Sequence, residues 1–191
     1  MLRSTARAAV LSLLAAAVAL PAAWGTTAVE RTESDMIQES ALIVTGHCTQ
    51  LQSQWVGRTL VTLATVQVTE ALKGSPGSTV TVVLPGGVDS NRKIPVAMSY
   101  PAAPQIYHQE NVLLFLVPED LVANGYAIAG FSQGKFTLAE GPQGKQVATQ
   151  NLSALNLLGR SGSLQRGTAK TIQIDELRQR IRQTPDAGRE R

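Results

Sequence analysis

Cysteine is almost missing. Cys48 is the single one in 191 residues, so no disulfide can close within the chain, whatever compartment holds it, and stability has to come from packing. Histidine is nearly as scarce: His47 and His108 are the only two, a thin supply for a zinc centre that needs several converging His, Cys or carboxylate ligands. Aromatic residues make up 4% of the chain, which argues against a deep aromatic pocket and leaves a core of Val, Leu, Ile and Ala. That composition suits a small barrel or sandwich filled by β-branched side chains. No apolar run after the first two dozen residues is long enough to cross a bilayer. Gly86 and Gly87 follow a strand pattern but no Lys with Ser or Thr comes after them at phosphate-loop spacing, and no nucleophile-elbow pattern occurs anywhere.

What is present begins with a leader. Arg3 and Arg7 precede the apolar run AAVLSLLAAAVAL, and small residues lead to an expected cut after Gly25, so residues 1–25 read as a cleavable secretory signal. The residue directly after Gly25 is Thr26 and not a cysteine, which argues against a lipid anchor. The mature chain is therefore expected in the periplasm or outside the cell, with a length that suits one domain.

Net charge is +3, but Arg3 and Arg7 contribute two of the 17 basic residues and leave with the leader, so the mature chain is nearly neutral. Its charge is uneven. Residues 26–158 hold 7 basic and 10 acidic residues, whereas 159–191 hold 8 basic and 4 acidic. The simpler reading of this basic end is a solvated, partly flexible extension; the sharper one is a contact with an anionic polymer. Nucleic acid is not expected as a partner.

Along the mature chain, Thr32 or Ser34 can cap a short helix whose apolar face is Met36 and Ile37. ALIVTGHCT reads as a strand with a bulge or bend at Gly46, followed by a loop LQSQWVGR. Ala64, Val66 and Val68 alternate with Thr65, Gln67 and Thr69, the clearest period of two in the sequence. A turn at Gly74–Gly77 leads to TVTVVLP, and these two strands are expected to form a hairpin. Gly86 to Glu110 is a long irregular loop interrupted by Pro95, Pro101 and Pro104. Loops of this length inside a domain tend to carry function, so Asp89, Asn91, Arg92, Lys93, Tyr100, Tyr107 and His108 become the candidate binding residues. NVLLFLV is a continuous apolar run suited to a central strand buried on both faces and stopped by Pro118. GYAIAGF, GKFTLAE and QGKQVA follow as shorter strands. Residues 26–150 are thus expected to hold the β domain, 151–170 a Ser- and Gly-rich linker, 171–184 an amphipathic helix with Ile174, Leu177 and Ile181 on one face, and 185–191 a disordered tail.

The residues with chemistry in them are His47, Cys48, His108 and Glu110. His47 and Cys48 are neighbours, so a regular strand turns them to opposite faces, and a lone cysteine in an apolar strand is most simply a small buried hydrophobe. No catalytic residue, metal or cofactor is expected from them.

The order of these motifs resembles the netrin-like domain, the domain of the tissue inhibitors of metalloproteinases, and more closely exported bacterial proteins of undefined function. The likeness spans roughly residues 34–138: the first strand with Gly46 and Cys48, the turn Leu72 to Gly74, and ENVLLFLV leading to a Gly-Tyr strand. It implies a five-stranded OB-type barrel that binds through its loops and one barrel face; with the pattern reading above, the expected fold is mainly β, a five- to six-stranded OB-like Greek-key barrel with a short N-terminal helix and a C-terminal amphipathic helix. The animal inhibitors present a disulfide-tied terminal cysteine to the protease zinc; no cysteine stands near Thr26 here. The leading expectation is a non-enzymatic, monomeric binding module for a protein or cell-surface polymer. The alternatives are a metalloprotease inhibitor that works through a loop and a small secreted hydrolase using His47, Cys48, His108 or Glu110.

Overall fold

A computed structural model describes residues 26–184; the leader and residues 185–191 lie outside the described residues. The fold is mainly β. Its longest unit is a hairpin of β2 (Leu42–Val56) and β3 (Thr59–Lys73), joined by Gly57 and Arg58. Gly57 has φ +59°, the left-handed backbone that a tight two-residue hairpin turn asks for. LQSQWVGR is therefore no loop but the far end of this ribbon. Gln50 and Gln52 are exposed on it, which is why its period of two carries no apolar signal.

The chain continues as β4 (Thr79–Pro85), β5 (Gly87–Asp89), β6 (Val96–Met98), β7 (Asn111–Glu119), β8 (Gly125–Ile128), β9 (Lys135–Glu140) and β10 (Gln146–Asn151). Eight strands form one sheet in the order β13-β10-β9-β7-β2-β3-β4-β8, where β13 is Ala169–Gln173. The expected β3–β4 hairpin is present, with Val66 opposite Val80. β8 pairs parallel with β4 and antiparallel with β7, so the hydrogen bonding runs β7-β2-β3-β4-β8 and returns to β7.

Register shifts at Ile43/Val44, Thr45/Gly46 and Cys48/Gln50 bend β2 as it passes from one partner to the next. Gly46 is required at the second: a Cβ there would run into the carbonyl oxygen of Gln67. Gly86, at φ +89°, turns the chain from β4 into β5, and a Cβ on it would meet the carbonyl of Met98.

Two cores share β2 and β7. Val44, Cys48, Ala64, Val66, Val82, Leu114 and Leu116 fill the first, enclosed by the returning pairing. Ile43, Leu113 and Phe115, the alternate residues, fill the second together with β9, β10 and both helices. That double burial explains the unbroken apolar run of β7. Pro118 does not stop this strand: pairing with β2 ends at Leu116, so the missing N–H of Pro118 falls where β7 has one neighbour, opposite Tyr126 of β8.

The first helix, α1 (Glu33–Glu39), is capped by Thr32 rather than Ser34. The Thr32 hydroxyl accepts from the Asp35 N–H and the Asp35 carboxylate accepts from the Thr32 N–H, both at 3.1 Å. It buries Met36 and Ile37 in the second core, as expected.

Residues 151–170 are not a linker. They hold β11 (Leu155–Leu158), β12 (Leu164–Arg166) and the start of β13. β11 pairs in parallel with β1 (Thr26–Val29), and the Ser- and Gly-rich stretch between β11 and β12 is a turn, closed by the Gly159 N–H on Ser163 O at 2.8 Å. The helix of the C-terminal end, α2 (Ile174–Gln183), starts three residues later than expected because 171–173 complete β13. Ile174, Leu177 and Ile181 are its buried face. Its arginines are not a free basic surface: Arg178 and Arg182 pair with Glu70, at 2.9 and 3.0 Å, and Arg180 with Glu33 at 2.8 Å. None of the described helices is long and apolar enough to cross a membrane.

Candidate functional site

The long loop is a structured element, and its candidate residues separate into two groups. Asp89, Asn91 and Arg92 come together on the β5–β6 hairpin. The Asp89 carboxylate accepts from Trp55 Nε1 at 2.7 Å, from Arg92 Nε at 2.8 Å and from the Asn91 N–H at 3.1 Å. The Arg92 guanidinium lies 4.9 Å from the centre of the Trp55 ring. This cluster fastens the hairpin to the end of the β2–β3 ribbon. Lys93 is exposed beside it.

The Trp55 hydrogen bond, followed by the Arg92 and Asn91 contacts, holds the Asp89 carboxyl below the usual carboxylate range. A depressed folded value means that ionised Asp89 favours the docked hairpin, an effect complete above the ordinary carboxylate value and lost as pH falls through the folded one. In a chain begun at Thr26, Trp55 is the sole tryptophan. Acid titration of its fluorescence is expected to show a step below pH 3.8 that Asp89→Asn removes. Identical titrations for the two proteins would break the assignment.

Tyr100 and Tyr107 belong to the second group. With Pro104 they form one wall of an open groove of about 760 Å³. The floor comes from the outward residues of two paired strands, Lys135 and Thr137 of β9 and Thr149 and Asn151 of β10, and the turn 152–155 makes the other wall. The loop wall is anchored. Ile106 is buried in the first core, the Tyr107 hydroxyl donates to Gln105 at 2.8 Å, and the Thr26 hydroxyl donates to the Pro101 carbonyl at 2.8 Å.

Glu110 ties wall to floor. Its Oε1 accepts from Lys135 Nζ and Thr137 Oγ1, both at 2.6 Å, and its Oε2 accepts from the Tyr107 N–H at 2.8 Å. On the far side Asn151 Oδ1 accepts from the Ser153 N–H at 3.1 Å and its hydroxyl at 2.7 Å, while the Thr149 and Thr171 hydroxyls meet at 3.0 Å.

The four chemistry-bearing residues do not converge. The Cys48 backbone bonds with that of Gln109 and Glu110, yet its side chain is fully buried in the first core. Burial, and secondarily the Glu110 charge, push the Cys48 thiol above its ordinary pKa. His47 is half-buried on the opposite side of the strand pleat, His108 is exposed and does not line the groove, and Glu110 faces Lys135. Among the described residues no group of three or more His, Cys, Asp or Glu is placed to hold a metal.

Sequence reasoning missed Trp55 and the groove floor. The alternation in KFTLAE and QVATQN puts Lys135, Thr137, Thr149 and Asn151 on one face, but that signal points only to a solvated face until the loop is seen opposite it. No family model matches this chain, and neither does any curated protein or solved structure.

Proposed function

We propose that this chain is an exported, non-enzymatic binding module that holds its target in the groove between residues 100–107 and the β9–β10 face. The observation that carries the reading is the state of the groove's reactive groups. Glu110 is saturated by three donors, Lys135 is spent on Glu110, and the one thiol is interior with a raised pKa, so the surface offers shape and hydrogen bonds rather than a nucleophile and a base.

The β2-β3-β4-β8-β7 pairing, with its single parallel step between β4 and β8, supports reading those strands as a five-stranded OB-type Greek-key barrel, the arrangement that netrin-like kinship implies. Fold alone would not assign the function. Export is supported by the leader: basic Arg3 and Arg7, the apolar run that follows them and the small residues up to Gly25. No observation favours protease inhibition over other binding.

The test is capture of partners from the extracellular or periplasmic fraction by the chain begun at Thr26 and by its Tyr100→Ala/Tyr107→Ala variant. Loss of a captured partner from the variant is the expected result. Capture that is identical for both proteins would remove the groove from consideration, and a chain retained uncut in the cytosol would remove the export reading.

A further inference from the structure

Building on that reading, we infer that the groove's ligand is a segment of an uncharged polysaccharide. Three features of the groove point the same way.

The first is its charge. Glu110 and Lys135 are the only Asp, Glu, Lys or Arg residues among those that line it, and at 2.6 Å they neutralise each other. A groove without a free cation has nothing to set against phosphates or uronic acids, whose capture rests on Lys and Arg. The second is the kind of polar group left over. Thr137, Thr149, Ser153, Asn151 and Gln105 carry hydroxyls and amides, which both donate and accept. Thr137 and Ser153 give their protons to Glu110 and Asn151 and keep acceptor lone pairs, while the Asn151 and Gln105 amides keep N–H donors, so the groove offers both kinds of partner to sugar hydroxyls.

The third feature is where the aromatics are spent. The chain has three Tyr, three Phe and two Trp, and among the described residues Tyr100 and Tyr107 are the two exposed aromatics, at 41% and 62%, both on this wall. An amphipathic ring with an apolar face and a polar tip suits the apolar face and hydroxyl rim of a pyranose. The volume of about 760 Å³ falls within the range of sites that enclose most of a small ligand.

A peptide is the rival occupant, and the floor disfavours it. β9 is paired on both sides, by β7 and β10, and β10 by β9 and β13, so the groove exposes no strand edge to which a peptide backbone could add.

The experiment is affinity electrophoresis of the chain begun at Thr26 through gels holding soluble neutral glucans, mannans or xylans, and sedimentation with cellulose and chitin. Alginate and a proline-rich peptide serve as comparison ligands. Retention by at least one neutral glycan is expected, weakened at least about tenfold by Tyr107→Ala and several-fold by Thr149→Val. It should persist in about 1 M salt, where charges are screened beyond roughly 3 Å. Circular dichroism of each variant separates lost binding from lost fold.

No retention by any neutral glycan, retention that Tyr107→Ala leaves intact, or preference for alginate that salt abolishes would each overturn the inference. Tight binding of the proline-rich peptide, lost in Tyr107→Ala, would overturn the glycan assignment while leaving the groove as the binding site. Partner capture that neither tyrosine affects would remove the groove itself.

Discussion

Replacing Phe115 by alanine is expected to lower the stability of the fold by about 3–5 kcal/mol, a large part of what a domain of this size possesses. Phe115 is fully buried at the middle of β7, with its ring centre 5.9 Å from that of Phe136 and the two planes tilted by 47°. Its backbone donates to Gly134 O and accepts from the Ala129 N–H, each at 2.9 Å, so the strand is held in place while the ring is removed. The surroundings therefore collapse poorly into the space, and loss of the Phe136 contact adds to the transfer term. Urea denaturation followed by circular dichroism measures the effect. A loss below about 1 kcal/mol would mean that the second core is not packed as described.

Removing the Glu110 side chain is the second large effect expected. Glu110 and Lys135 have 10% and 16% of their side-chain surface exposed, so Glu110→Ala leaves an ammonium group mostly out of water with no partner, at a cost of about 3–5 kcal/mol. The alanine also releases the Tyr107 N–H and the Thr137 hydroxyl. Glu110→Gln keeps an acceptor in place and is expected to cost less. The informative comparison is Glu110→Met with Lys135→Met: desolvating two charges offsets most of their attraction, so the double variant should recover most of the stability that the single change loses. A double variant as unstable as Glu110→Ala would show that hydrogen bonds to the loop, rather than an orphaned charge, dominate.

Those two residues also show what was legible in the sequence. The apolar run around Phe115 announced a strand buried on both faces because six consecutive residues, Val112 to Val117, left no polar side for water. The start of β2, the alternation of β3 and β4 and the buried faces of both helices were readable for the same reason: each repeats with the period of its own geometry. The far half of β2 was not, since Gln50 and Gln52 on a solvated ribbon look like loop residues. Nor was the stretch around Gly159 to Ser163, whose composition fits a linker and a tight turn equally well.

The site was half legible. Tyr100 and Tyr107 stood out as aromatics in a proline-bearing loop. Thr137, Thr149 and Asn151 did not, because their significance lies in facing that loop across the fold, a relation no local pattern carries. That the Asp89 cluster clasps the hairpin was not legible either, for its partner Trp55 lies 34 residues away.

The second core joins the two ends of the described chain, and this dictates when it can be finished. Met36 and Ile37 pack with Leu177 and Ile181, and Arg180 reaches Glu33 across 147 positions. During synthesis the β2–β3 ribbon can form as soon as it emerges, since its contacts are local, but α1 has no lid until α2, Ile174–Gln183, has been made. Under the export proposed above, such late completion keeps the chain pliable until α2 arrives, so that the fold locks only after threading.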